Sequence, residues 1–106
     1  IKTTSNNNLI TIPLTEFATG DFKLIRVRNY TYDLAIQKMQ DGSFETLVLQ
    51  CSHAGHPLTK TGNKYYCSLH GSQFSHEGHV LKGPAEKNLK KLPTTVDADH
   101  VTIHLV

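Results

Sequence analysis

Cys51-Ser52-His53-Ala54-Gly55-His56-Pro57-Leu58 and Cys67-Ser68-Leu69-His70-Gly71-Ser72-Gln73-Phe74 commit both cysteines of this 106-residue chain to two short loops of the same ligand type. Cys51, His53, Cys67 and His70 offer two thiolates and two imidazoles to one metal centre. Two sulfide-bridged irons, with cysteines on one and histidines on the other, use that donor set. A tetrahedral zinc site accepts the same four ligands, but along a chain zinc sites usually pair cysteine with cysteine and histidine with histidine. The alternation Cys-His, Cys-His therefore favours the two-iron arrangement. A structural disulfide between Cys51 and Cys67 in an exported domain is a third reading, and it leaves both matched histidines without a role.

Around the loops, from Cys51 to about Pro84, lie Gly55, Gly62, Gly71, Gly78 and Gly83, five of the chain's seven glycines, and five of its seven histidines. Glycine lets the backbone turn tightly and approach a ligand closely. This stretch reads as a small cluster-binding subdomain, about 51–84, inserted into a β framework. The framework is legible as short apolar runs at Leu9 to Leu14, Phe22 to Val27, Leu34 to Met39 and Thr46 to Cys51. Pro13 lacks a donor, so the first run is expected to be an edge strand or to end there. Asp41-Gly42 between two runs signals a hairpin. Val101, Ile103 and Leu105 alternate with Thr102 and His104 as a final half-buried strand, and Tyr65-Tyr66 reads as a strand entering the second loop. Pro84 to Leu92 carries weak helical character, stopped by Pro93. The expected fold is all-β: an antiparallel sandwich or barrel framework in a single domain spanning residues 1–106.

A net charge of +2 with 19% charged residues is a composition typical of a soluble protein. Lys82, Lys87, Lys90 and Lys91 form the basic cluster of the sequence, without the interleaved aromatics that single-strand binding requires. No nucleic-acid partner is expected. No run of apolar residues is long enough to span a bilayer, so membrane contact is expected only through a segment outside this chain. The first residue is Ile1 rather than Met, which predicts a processed start. An exported, periplasmic or membrane-anchored precursor is the expected origin, with a cytoplasmic chain as the alternative.

The two ligand loops, together with Gly83-Pro84-Ala85, resemble the Rieske iron-sulfur signature over about a third of the chain. The resemblance implies a 2Fe-2S cluster held by Cys51 and Cys67 on one iron and by His53 and His70 on the other. It implies antiparallel sheets around a cluster subdomain, the histidines at an exposed tip, and the Gly83-Pro84 loop covering a third side. Gly71, Ser72, Leu58 and Pro84 then lie around the cluster. Neutral imidazoles in place of two thiolates make the oxidised cluster less negative and easier to reduce, at about −150 to +300 mV against about −400 mV for plant-type ferredoxins. Imidazole ionisation couples that reduction to proton uptake above some pH.

The departures from the family pattern are informative. Members that oxidise quinols in cytochrome complexes carry an extra cysteine in each loop, joined in a disulfide; those positions are His56 and Leu69 here, so with both cysteines assigned to iron none is left for a bridge, as in Rieske-type ferredoxins. The same members use a serine after His-Gly and a tyrosine two residues later as donors to cluster sulfur. Ser72 is present, but Phe74 has no hydroxyl. An intermediate potential is expected, because such donors tune the metal. Only 13 residues separate His53 from Cys67, which reads as a trimmed first loop. His56, His76, His79, His100 and His104 are expected to be surface or supporting residues, and Asn29-Tyr30-Thr31 is a glycosylation sequon of weak specificity.

The expected function is one-electron transfer by a ferredoxin-like carrier with no self-contained active site, serving electron-donor and electron-acceptor proteins. The alternatives are a small Rieske subunit of an oxidoreductase or oxygenase complex and, from another class, a zinc-stabilised interaction module. An oxygenase's catalytic subunit needs a further mononuclear iron site, for which these 106 residues hold no second domain.

Overall fold

A computed structural model describes residues 2–52 and 55–105. Among the described residues, twelve strands are arranged in three sheets. Strands β1 (Lys2–Thr3), β3 (Phe22–Val27), β4 (Leu34–Lys38), β5 (Phe44–Val48) and β10 (Lys91–Leu92) form the first, in the order β1-β3-β4-β5-β10. Strands β2 (Leu9–Pro13), β11 (Thr94–Val96) and β12 (His100–His104) form the second, in the order β11-β12-β2. The third runs β6 (Thr59–Thr61), β7 (Lys64–Tyr66), β8 (Gln73–Ser75), β9 (Val80–Lys82). All pairings are antiparallel except β1 with β3.

Strand β4 shows how the layers are fixed. Leu34, Ala35 and Ile36 are consecutive and all buried, as are Thr46, Leu47 and Val48 of β5. Successive side chains point to opposite faces of a sheet, so a continuously buried strand is covered on both sides. One face carries Leu34, Ile36, Phe44 and Val48 against Ile10, Ile12, Val101 and Ile103 of the second sheet. The other carries Ala35, Leu47 and Leu49 against Leu58, Tyr65, Phe74 and both cysteines. Strand β2, covered on one face, alternates exposed and buried as the sequence pattern predicts.

Strand β2 lies at a sheet edge and ends at Pro13, where the missing donor costs no ladder bond. Gly42 holds φ +88 in the turn between β4 and β5. The expected helical character over Pro84 to Leu92 is not borne out: the segment is irregular up to β10. Its backbone groups bond outward instead. Leu89 N–H donates to Gly78 O (2.8 Å), and Lys90 O accepts from Val48 N–H (2.9 Å). Ala85 and Leu89 are both buried and four residues apart, which imitates a helical stripe in a chain held by distant partners. A single turn of 3-10 helix, Leu14–Phe17, follows Pro13 and buries Phe17 against Phe44 with ring centroids 4.9 Å apart. Among the described residues, no helix is long and apolar enough to cross a membrane.

Candidate metal centre

The two ligand loops are built to one plan. Residues 51–56 are closed by a bridge between Gln50 and Pro57, and residues 67–72 by the pairing of Tyr66 with Gln73 at the β7–β8 junction. Inside the first loop, Cys51 N–H donates to His56 O (2.8 Å) and Gly55 N–H donates to Cys51 O (2.8 Å). Inside the second, Cys67 N–H donates to Ser72 O (2.9 Å) and Gly71 N–H donates to Cys67 O (2.9 Å). Gly55 and Gly71 occupy the same place in each, with φ +70 and +82, a left-handed conformation open to glycine without strain. At Gly55 a Cβ would also come within 3.3 Å of the Gln50 amide nitrogen.

This geometry places Cys51 and Cys67 in one apolar core, 1% and 0% exposed, beside Leu58, Tyr65, Phe74, Ala85 and Leu89. No disulfide joins the two thiols. Of the sequence-predicted ligands, His70 is exposed on the second loop, whereas His53 lies outside the described residues. Among the described residues no three cysteine, histidine or carboxylate side chains gather at one point. In a two-iron cluster thiolates and imidazoles serve different irons, and the placement follows that division: a buried thiol pair and an imidazole at the surface. The donor set fits such a cluster.

The third loop is fastened to the other two. Ala85 N–H donates to Ser72 Oγ (3.1 Å), and both residues are buried. Ser52 Oγ donates to Lys87 O. Gly83 and Pro84 are joined by a cis peptide and lie exposed between β9 and Ala85. Leu58 is buried, and Gly71 and His56 are half-buried. Leu69, where the disulfide-braced members have a cysteine, is 54% exposed.

Two residues that brace these loops escaped the sequence reading. Ser52 is one, and the repeated Cys-Ser at 51–52 and 67–68 was its available signal. Tyr32 is the second: its hydroxyl donates to Gly55 O (2.8 Å) from far away in the chain, with no local pattern to announce it. Tyr65 is 1% exposed, its hydroxyl has no hydrogen-bond partner among the described residues, and burial pushes the phenol up to about 12.

Comparison with known proteins agrees with this geometry. Over 53 residues the chain is 40% identical to the cytochrome b6-f complex iron-sulfur subunit of Synechococcus sp. (strain JA-3-3Ab), covering 48% of this chain and 31% of that one. The chain thus spans about a third of the length of the curated relatives it matches. Among solved structures it resembles the plasma membrane Rieske protein PetC3 from Synechocystis PCC 6803, with TM-score 0.67, 20% identity, and coverage of 89% of this chain and 97% of that one. It also resembles a chain in the complex of reduced oxygenase and oxidised ferredoxin in carbazole 1,9a-dioxygenase, with TM-score 0.60, 19% identity, and coverage of 93% and 94%. The model of the Rieske [2Fe-2S] domain matches residues 9–93, most of the chain, and the chain belongs to that family, whose domain binds a 2Fe-2S cluster.

Proposed function

We propose that this domain is a one-electron carrier, with Cys51 and Cys67 holding one iron of the cluster and His53 and His70 the other. The observation that carries the reading is the pair of matched loops, which bury two thiols in one core and leave His70 at the surface. When bound, the cluster supplies a site that accepts and releases a single electron. The rest is the work of the chain. Leu58, Phe74, Ala85 and Leu89 keep water from the thiolate side, and an apolar shell of this kind sets the dielectric on which a potential depends. The Ser72 oxygen accepts from Ala85 N–H, so its own proton remains to donate toward cluster sulfur. Phe74 offers no second donor. An intermediate potential follows from one donor where disulfide-braced members have two.

Residues 1–106 act as one domain in this reading, and its cluster-binding part extends past Pro84 to Leu89, whose N–H is held by Gly78. A second reading, the same electron transfer inside a larger complex, is favoured by the relatives that are cytochrome b6-f complex subunits. Optical and electron paramagnetic resonance spectra of the isolated protein test the proposal. A coloured, reducible centre with low average g is expected; colourless protein with stoichiometric zinc would overturn it. Film voltammetry tests the potential, and a midpoint near about −400 mV, the plant-type range, would remove the role given to Ser72.

A further inference from the structure

The charges of this chain are unevenly placed. Residues 51–92 contain Lys60, Lys64, Lys82, Lys87, Lys90 and Lys91 but, as acids, only Glu77 and Glu86, whereas in the remainder seven acidic residues outnumber five basic ones. Residues 51–92, which include both ligand loops, are therefore the basic stretch of the sequence. Two of the six lysines have local work: Lys91 pairs with Glu45 at 3.3 Å, and Lys60 Nζ donates to Gly62 O (2.6 Å) while lying over the Phe22 ring.

Lys82 and Lys87 are placed differently. Lys82 pairs in register with Gln73, the residue after Ser72, so it stands beside the second ligand loop. Lys87 is fixed beside the first, because its carbonyl accepts from Ser52 Oγ. Both side chains are exposed, and among the described residues neither has a carboxylate partner. Between them lie Pro84, also exposed, and Glu86, the single acid of that loop. Leu69 supplies an exposed apolar side chain on the second loop. An apolar centre with a charged rim is the anatomy of a protein–protein contact, and a rim of one sign steers the encounter.

We propose that Lys82 and Lys87, flanking the Gly83–Pro84 loop, make the ligand-loop end of this domain the docking face for an electron-transfer protein with an acidic surface. The proposal rests on the one-electron reading above. Exposed lysines flanking both ligand loops attract carboxylates to the end that carries His70, and the remainder of the chain, in which acids outnumber bases, competes poorly for the same partner.

The test uses cluster-loaded protein whose resonance spectrum has first been verified; absence of the cluster signal defeats the electron-carrier reading and the docking proposal with it, whereas the rates below bear on docking alone. The reduced protein is then mixed with hexacyanoferrate(III), which takes one electron to become hexacyanoferrate(II), and separately with the cationic oxidant tris(phenanthroline)cobalt(III). Added salt should slow the first reaction and speed the second. At low salt, Lys82→Glu and Lys87→Glu should each slow the anionic reaction by about threefold to tenfold. Lys38→Glu changes the net charge equally at the far end of β4 and should have little effect. Equal slowing by all three variants would mean that net charge alone acts, and no slowing by Lys82→Glu or Lys87→Glu would mean that the face carries no field; either result overturns the proposal. Poly-L-glutamate probes the macromolecular contact: amide resonances of residues 67–72 and 82–88 should shift and return at high salt, and shifts confined to the β framework would defeat it.

Discussion

Tyr65 shows how a buried side chain can work against the fold that contains it. Its ring fills the seam between the ligand-loop subdomain and the outer face of β4 and β5, but its hydroxyl finds no partner among the described residues. A buried hydroxyl left unpaired costs about 1–3 kcal/mol. Tyr65→Phe is therefore expected to leave stability unchanged or to raise it by up to about that amount, read as the urea midpoint. The pH dependence follows from the phenol's shift to about 12. The unfolded phenol loses its proton near 10, so above that pH the unfolded state binds fewer protons and stability falls as pH rises toward 12. Below about pH 10 the contribution is fully present. Between about pH 9 and pH 11 the natural protein should lose more stability than Tyr65→Phe; identical losses would show that the hydroxyl is solvated. Ser72 is the opposite case, a buried hydroxyl that is used. Ser72→Ala strands Ala85 N–H, which costs about 1–3 kcal/mol, and should lower the midpoint potential while the cluster assembles. An unchanged potential would show that the hydroxyl does not reach sulfur.

At the scale of elements, the contact between sheets is set by a glycine. Gly78, in the β8–β9 turn, holds φ +89, and a Cβ there would lie 2.8 Å from Leu47 Cδ2, in a core that Leu89 closes from the other side. Gly42 has nearly the same φ, +88, with nothing within 4 Å of such a Cβ. Gly42→Ala should cost about 1 kcal/mol from backbone conformation alone. Gly78→Ala adds overpacking of about 1–3 kcal/mol, so its denaturation midpoint should fall further; equal losses would mean that Leu47 yields freely. The elements differ in how well the sequence announces them, for related reasons. Strands β2 and β12 bury apolar residues in alternation and β4 and β5 bury them in continuous runs; these four and β3 were legible as apolar runs, β3 matched at both ends, whereas β5 begins at Phe44 and ends at Val48 rather than spanning Thr46 to Cys51. Strands β6 to β9 are three residues each, and Thr59–Thr61 is exposed throughout, so only Tyr65-Tyr66 stood out. Pro84 to Leu92 was misread because Ala85 and Leu89 have helical spacing but bond to distant loops. In the proposed site, residue types and order single out Cys51, Cys67, His70 and Ser72, whereas Tyr32 and Lys87 are brought beside those loops by tertiary contacts that leave no local trace.

The described residues form two cores on opposite faces of one sheet, and the two proposed cysteine ligands lie in one of them. The core between the first and second sheets, built on Ile10, Ile12, Ile25, Leu34, Val101 and Ile103, is apolar and owes nothing to metal. The core on the other face includes Cys51 and Cys67, and the small sheet above it consists of strands of three residues joined by turns. So small a sheet has few ladder bonds of its own, and the free energy of ligation is available to hold its loops in place. Removing the cluster should therefore loosen the molecule unevenly. Hydrogen exchange of cluster-loaded and cluster-stripped protein, followed by mass spectrometry, should show protection lost over residues 51–89 and kept in β2, β3 and β12, whose opening is governed by the metal-free core. Tyr32 and Val48 bind the two regions through Gly55 and Lys90, which marks where the loss should stop. Equal loss of protection in β12 and β7 would instead show that the two cores unfold as one cooperative unit, with the cluster stabilising the framework as much as the loops that hold it.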